Sequence, residues 1–179
     1  MIKAIVILMS MAAALSADGP QYTPDGKLKR PAEYREWVWL SSGLGMSYGP
    51  LAQNEQDPDP PFDNVFVNPS AYRAFLQTGT WPDKTVLVLE VRASVSKGSI
   101  NQGGHSQGGL RGIEVEVKDQ GRWTFYGFNG TAEAGARIPA AASCYTCHAQ
   151  NGAVDNTFVQ FYPTLIEVAK RKGTLKPAQ

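Results

Sequence analysis

Metal-binding side chains are scarce in this sequence, which holds two cysteines and two histidines among 179 residues. One of the histidines, His148, directly follows the second cysteine, Cys147. A structural zinc site needs four ligands that converge on one ion, and side chains of neighbouring residues point in diverging directions. The sequence therefore argues against a zinc site.

An excess of charge of either sign is also missing. The formal net charge is +1, and removal of Lys3 with a cleaved leader would bring it to about zero. A near-neutral chain gives no electrostatic reason to expect nucleic acid or an acidic membrane surface as a partner. Repeats and low-complexity blocks are absent too.

A long hydrophobic run occurs only at the N-terminus, where apolar and small residues extend from Ala4 to Leu15 after Lys3. A membrane-spanning helix needs about 20 apolar residues, so no membrane span is predicted. A lipoprotein leader would need a cysteine after its cleavage site, and none is there. The pattern predicts a signal peptide over 1–17, cleaved between 14 and 17, and hence an exported or periplasmic protein. An extended arm over 18–30 and one domain over 31–179 complete the predicted organisation.

Both cysteines lie in the stretch ASCYTCHA. Cys-x-x-Cys-His is the attachment signature of a c-type haem, in which two thiols form thioethers and the adjacent imidazole binds the iron. We therefore predict one covalently bound haem c, attached at Cys144 and Cys147, with His148 as the proximal iron ligand. The two residues between the cysteines are interpreted as spacers. Two other interpretations of Cys-x-x-Cys are less favoured. A redox dithiol normally begins the helix of a βαβ unit, which this sequence does not predict, and a disulfide across two residues rarely precedes a histidine.

The remaining sequence predicts an α+β fold, mainly an antiparallel sheet with a few helices grouped at one end. Glycine and proline mark loops over 41–61 and 98–112. The predicted elements are a short helix passing into a strand over 31–40, strands over 62–67, 84–95, 113–119 and 122–130, a helix between Asn68 and Gly79, and a terminal helix over 157–173 interrupted near Pro163.

The possible functions differ in what occupies the second axial position of the iron. An electron carrier usually fills it with Met or His. Three of the four methionines lie in the leader, which leaves Met46, and the second histidine is His105 in the glycine-rich loop. The setting of Met46 is more typical of a residue that fills space, and that of His105 is more typical of a solvated side chain. The sequence therefore favours a five-coordinate haem that is open to a small ligand.

Four stretches, PAEYREWVWL, NPSAYRAFLQTGTWPD, GIEVEVKD and SCYTCHAQNGAVDNTFVQFYPTL, cover most of the chain after the leader. In them the sequence resembles cytochrome P-460 and its relative cytochrome c′-beta. The resemblance implies a mainly antiparallel-sheet protein and a homodimer. It also implies one haem in each subunit, with an open distal side.

The two branches of this family differ at one residue. The resemblance implies that a lysine joined covalently to the haem edge accompanies hydroxylamine oxidation, and that its absence accompanies nitric oxide binding in an apolar pocket. Alignment of TVLVLEV places Leu89 at the lysine position, and Lys84 is five residues away, on the opposite face of a regular strand. The enzymes' distal carboxylate matches Glu114, although alternation with apolar neighbours equally predicts a solvated strand face.

The sequence thus predicts an exported cytochrome that binds nitric oxide or a similar small ligand and lacks the lysine cross-link. Its distal pocket candidates are Leu89, Glu114 and His105. The first alternative is an oxidoreductase that oxidises hydroxylamine or converts a nitrogen oxide, with Glu114 as proton acceptor. The second is a simple electron carrier. A redox partner protein is compatible with each of them.

Overall fold

The computed structural model describes residues 18–47 and 58–177. The predicted signal peptide lies outside these ranges. Within them, seven strands form one antiparallel sheet in the order β1-β7-β6-β5-β4-β3-β2, and three α-helices accompany it. The elements are β1 Leu28–Lys29, β2 Val38–Leu44, β3 Phe62–Val67, α1 Pro69–Thr78, β4 Val86–Val95, β5 Ser106–Asp119, β6 Arg122–Phe128, β7 Ala134–Arg137, α2 Ser143–Asn151 and α3 Pro163–Lys172. The predicted α+β class is confirmed.

Helix boundaries follow the local sequence signals. Proline is the first residue of both α1 and α3, where its missing N–H costs no helical hydrogen bond. Gly79 and Gly173 end these helices at φ 76° and 67°, a conformation that glycine adopts without strain. The predicted interruption near Pro163 is confirmed, because the segment before it is a separate 3₁₀ helix, Val159–Phe161.

Strands occupy part of both predicted loops, and residues 48–57 of the first loop lie outside the described ranges. β2 continues through Leu44, and β5 already begins at Ser106. Both extensions pair with a neighbouring strand, as Gly43 does with Asp63 and Ser106 with Val95. Hydrogen bonds between backbones need no particular side chain, so a long neighbouring strand can hold glycine-rich sequence in the sheet.

The sheet separates two hydrophobic clusters. One lies beneath α1 and α3 and includes Phe75, Trp81 and Leu165, while the other lies on the opposite face and includes Leu28 and Tyr34. The first three residues of β4 are buried, as expected for a strand covered on both faces. Within the described ranges, no helix is long and apolar enough to cross a bilayer.

Candidate haem-binding site

Helix α2 presents the haem attachment motif. Cys147 and His148 follow Cys144 by three and four positions, and residues at these spacings lie on the same side of a helix as the first. All three line a cleft of about 440 Å³ between this helix and the sheet. The helix ends at Gly152, whose N–H donates to the carbonyl of His148. A Cβ at Gly152 would lie 2.5 Å from the backbone carbon of Asn156, so only glycine permits this close approach.

The cleft walls are mainly apolar. One sheet face contributes residues from β3, β4 and β6, and the segment before α3 contributes aromatic rings. The apolar residues lining the cleft are Met46, Pro61, Val65, Leu87, Leu89, Val91, Val115, Phe125, Tyr126, Ile138, Phe158, Phe161 and Tyr162. Two thiols and an imidazole on one wall, facing apolar walls, are the donor set and setting that a covalently attached haem requires. The residues present therefore fit this group.

The His148 imidazole is held in one orientation. Its Nδ1 lies 3.0 Å from the carbonyl oxygen of Asn156, and its ring contacts those of Phe125 and Phe158, with centroids 4.7 and 4.4 Å away. A carbonyl only accepts hydrogen bonds, so Nδ1 carries the proton and Nε2 keeps its lone pair. Burial lowers the pKa of His148, although the Asn156 carbonyl opposes this shift. A neutral imidazole is the form that binds a metal.

Glu116 is the most enclosed carboxylate of the cleft, and it was not among the predicted site residues. Its Oε1 is 3.5 Å from His148 Nε2, and its buried Oε2 has no hydrogen-bond partner among the described residues. Burial, followed by the nearby Glu114 carboxylate, raises the pKa of Glu116 to about 8. Burial therefore favours the protonated form of Glu116. Its position two residues from Glu114 was the available signal, because residues i and i+2 of a strand share a face.

The structure brings Leu89 and Glu114 together. They are directly opposed on β4 and β5, and both line the cleft, with Glu114 exposed. Lys84 precedes β4 at φ 68°, and its Nζ lies 2.6 Å from a carboxylate oxygen of Asp119. Lys84 is not among the residues that line the cleft.

The two candidates for a second axial ligand lie in different places. His105 is not among the residues lining the cleft, and its Nε2 is 3.0 Å from the carbonyl oxygen of Pro58. Met46 does line the cleft, beside Gly43. A Cβ at Gly43 would lie 2.3 Å from the Met46 sulfur, so the glycine makes room for this side chain.

Comparison with known families agrees with this geometry. Residues 31–159 match the family model described as Cytochrome P460. The chain belongs to the cytochrome P460 family. No curated protein matches the sequence. Family membership implies a haem c cofactor, which agrees with the donor set on α2.

In this cytochrome, Tyr145 does more than separate the two cysteines. Its hydroxyl donates to the carbonyl of Ile138 at 3.1 Å and accepts from the backbone N–H of Phe125 at 3.3 Å. Its ring also packs edge-on against that of Phe125, with centroids 4.6 Å apart. Tyr145 therefore packs α2 against β6 and hydrogen-bonds to it. The attachment motif alone did not predict these contacts, because both partner residues lie outside it.

Proposed function

We propose that this chain is an exported mono-haem c cytochrome that binds nitric oxide or a similar small neutral ligand. Thioethers from Cys144 and Cys147 and an iron bond from His148 hold the haem, and its other face is open. The proposal includes the absence of a lysine cross-link. Its main support is that Leu89, at the position where the family resemblance expects the cross-linking lysine, presents an apolar side chain to the cleft.

The lysine inventory gives further support. Every lysine except Lys3 lies in the described ranges, and none of those lysines lines the cleft. Lys84 is bonded to Asp119, and Lys118 donates to Asp155 and to the carbonyl of Trp81. An amine must touch the haem edge to react with it, so these positions favour a haem held only by the cysteines and the histidine.

The chain's own residues supply the setting for ligand binding. His148 offers Nε2 to the iron, with Nδ1 held by Asn156. Leu87, Leu89 and Phe125 give the cleft apolar walls. Haem c supplies an iron centre that binds diatomic ligands. An apolar surround favours a neutral ligand such as nitric oxide over a charged one, because a buried charge loses its hydration.

A second candidate function, oxidation of hydroxylamine or conversion of a nitrogen oxide, is supported by Glu116. Its carboxyl group lines the cleft with one unpartnered oxygen. A carboxyl whose pKa is raised to about 8 can exchange a proton with a substrate near neutral pH. Glu114 adds a more exposed carboxylate to the same wall. This function would need proton transfer, which simple ligand binding does not.

Optical spectra of the protein, produced in a host that attaches haem c, test the proposal. We expect ordinary haem c absorption, a high-spin iron, and binding of carbon monoxide and nitric oxide to the ferrous form. A strongly red-shifted band, with a lysine peptide retained on the haem after proteolysis, would contradict it. A sharp low-spin spectrum would instead identify an electron carrier, for which Met46 is the candidate ligand in the described cleft.

Haem attachment is tested separately by substitution. The double variant Cys144→Ala, Cys147→Ala should release all its haem on extraction with acidified acetone, whereas each single variant should keep one thioether. Retention of haem by the double variant would contradict the attachment chemistry.

The proposed export is checked by N-terminal sequencing, which should find cleavage between residues 14 and 17. Sedimentation should find the homodimer that the family resemblance implies.

A further inference from the structure

A tight turn holds the hydrogen-bond acceptor of His148. Val154 and Thr157 pair as an isolated antiparallel bridge, and the two residues between them have positive φ, 49° at Asp155 and 60° at Asn156. Consecutive non-glycine residues in the left-handed region are uncommon and persist only where surrounding contacts hold them. The Asn156 carbonyl of this turn accepts the hydrogen bond of His148 Nδ1.

Lys118 binds Asp155, the first of the two central residues of the turn. Its Nζ, on β5, lies 2.5 Å from Asp155 Oδ2 and 2.8 Å from the carbonyl oxygen of Trp81. The Lys118 side chain is only 13 % exposed. Trp81 in turn donates from Nε1 to Thr157 Oγ1 at 2.8 Å, so the last residue of the turn is held by the same group of side chains.

Lys176 binds Asn156, the second central residue of the turn. Its Nζ donates to Asn156 Oδ1 at 3.1 Å and to the carbonyl of Ala149, in α2, at 2.9 Å. Its backbone N–H donates to the carbonyl of Ala153 at 2.8 Å. One exposed residue near the C-terminus therefore links the turn to the helix that carries His148.

We propose that Lys118 and Lys176 are positioning residues of the haem site, which act on the iron through the Asn156 carbonyl and His148. The two ammonium groups bind the side chains of Asp155 and Asn156, the two central residues of the turn, and the turn fixes where its carbonyl points. A well-directed bond from Nδ1–H to a carbonyl raises the basicity of the imidazole and strengthens its bond to iron. This inference rests on the proposed role of His148 as iron ligand.

Resonance Raman spectra of the ferrous protein provide the test. In Lys118→Met, Lys176→Met and the double variant, we expect the iron–histidine stretching band to move to lower frequency and to broaden, most in the double variant. Lys84→Met is the matched control, because the Lys84 ammonium pairs with Asp119 and not with a residue of the turn, so its loss should leave the band unchanged. A purely structural role of the two lysines would lower the melting temperature without moving the band.

The variant Asn156→Gly separates orientation from charge. Glycine tolerates the positive φ and keeps the backbone carbonyl but removes Oδ1, the atom that Lys176 holds. Its midpoint potential should rise, whereas loss of a lysine charge alone would lower the potential. An unshifted band in a folded double variant would overturn the inference, and if that variant does not fold, an unshifted band in Lys176→Met would do so. Absence of the band from the parent protein would instead refute the five-coordinate, His148-ligated haem of the proposed function.

Discussion

Leu89 lies where the family resemblance places the cross-linking lysine, so substitutions there test the proposed absence of a cross-link. Substitution Leu89→Lys places an amine on the cleft wall, opposite Glu114. We expect peroxide treatment of this variant to produce a covalently modified haem with red-shifted absorption, because peroxide accepts the two electrons that are released when the amine bonds to the haem edge. Optical spectra and peptide mapping measure the product.

The matched control is Leu89→Met, which keeps an apolar side chain of similar size without an amine. It should bind carbon monoxide like the parent and show no new band after peroxide. A red-shifted band in the parent or in this control would show that another residue can form the cross-link, and that the strand alignment is wrong.

At the residue scale, a contiguous motif supports a prediction that contacts between distant residues do not. The attachment motif is contiguous, so roles for Cys144, Cys147 and His148 could be predicted from their spacing alone. Glu116 could not, because alternation along a strand shows which residues share a face but not whether that face meets water or a cleft. The acceptor for His148 comes from a turn whose conformation depends on two distant lysines, and local sequence does not encode that dependence.

Among the secondary-structure elements, the contact between α2 and the turn at 154–157 depends on Gly152. Substitution Gly152→Ala would bring a Cβ to 2.5 Å from the backbone of Asn156 and 2.6 Å from that of Thr157. Backbone atoms cannot rotate away, so we expect a loss of about 1–3 kcal/mol in the free energy of unfolding. The same displacement should lower the iron–histidine frequency, since it moves the Asn156 carbonyl. Denaturant titration and resonance Raman spectra measure the two effects.

Gly112→Ala is the control for that prediction. Gly112 lies in β5, and a Cβ there would have no atom within 4 Å. Its unfolding free energy should stay close to that of the parent. Equal losses in both variants would mean that general strand or helix effects, rather than the close approach of α2 to the turn, explain the result.

Element boundaries were predictable where a side chain determines them and not where pairing does. Proline and glycine define both ends of α1, so the sequence predicted its limits correctly. β7 was not predicted, because Ala134–Arg137 has neither β-branched residues nor aromatic rings and is held by its pairing with β6. The placement of α2 over the sheet likewise depends on Tyr145, whose partners lie on other elements.

For the molecule as a whole, the face opposite the cleft carries a buried charge, Glu90, which is 3 % exposed. Burial by itself raises its pKa, but the hydrogen bond from Tyr34 and the charge of Arg35 outweigh this and lower the pKa below 4.5, the ordinary value of a glutamate. Arg92 and Asn64 also face this carboxylate. A depressed folded-state pKa means that the unfolded chain binds the proton more readily, so the stabilisation exists above pH 4.5 and disappears as the pH falls through the folded-state value.

Substitution Glu90→Gln should therefore destabilise the protein at neutral pH by about 1–3 kcal/mol, because it removes charge-assisted hydrogen bonds. The difference from the parent should shrink as the pH falls below 4.5, since the parent then loses the same charge. Urea titrations between pH 3 and 7 measure it, and ligand binding at neutral pH should be unchanged because Glu90 lies on the opposite side of the sheet from the cleft. Glu167→Gln is the control: Glu167 pairs with Lys170 on the surface, so its loss should matter little at any pH. A constant Glu90→Gln difference across this range would mean that shape, and not ionisation, accounts for the contribution of Glu90 to stability.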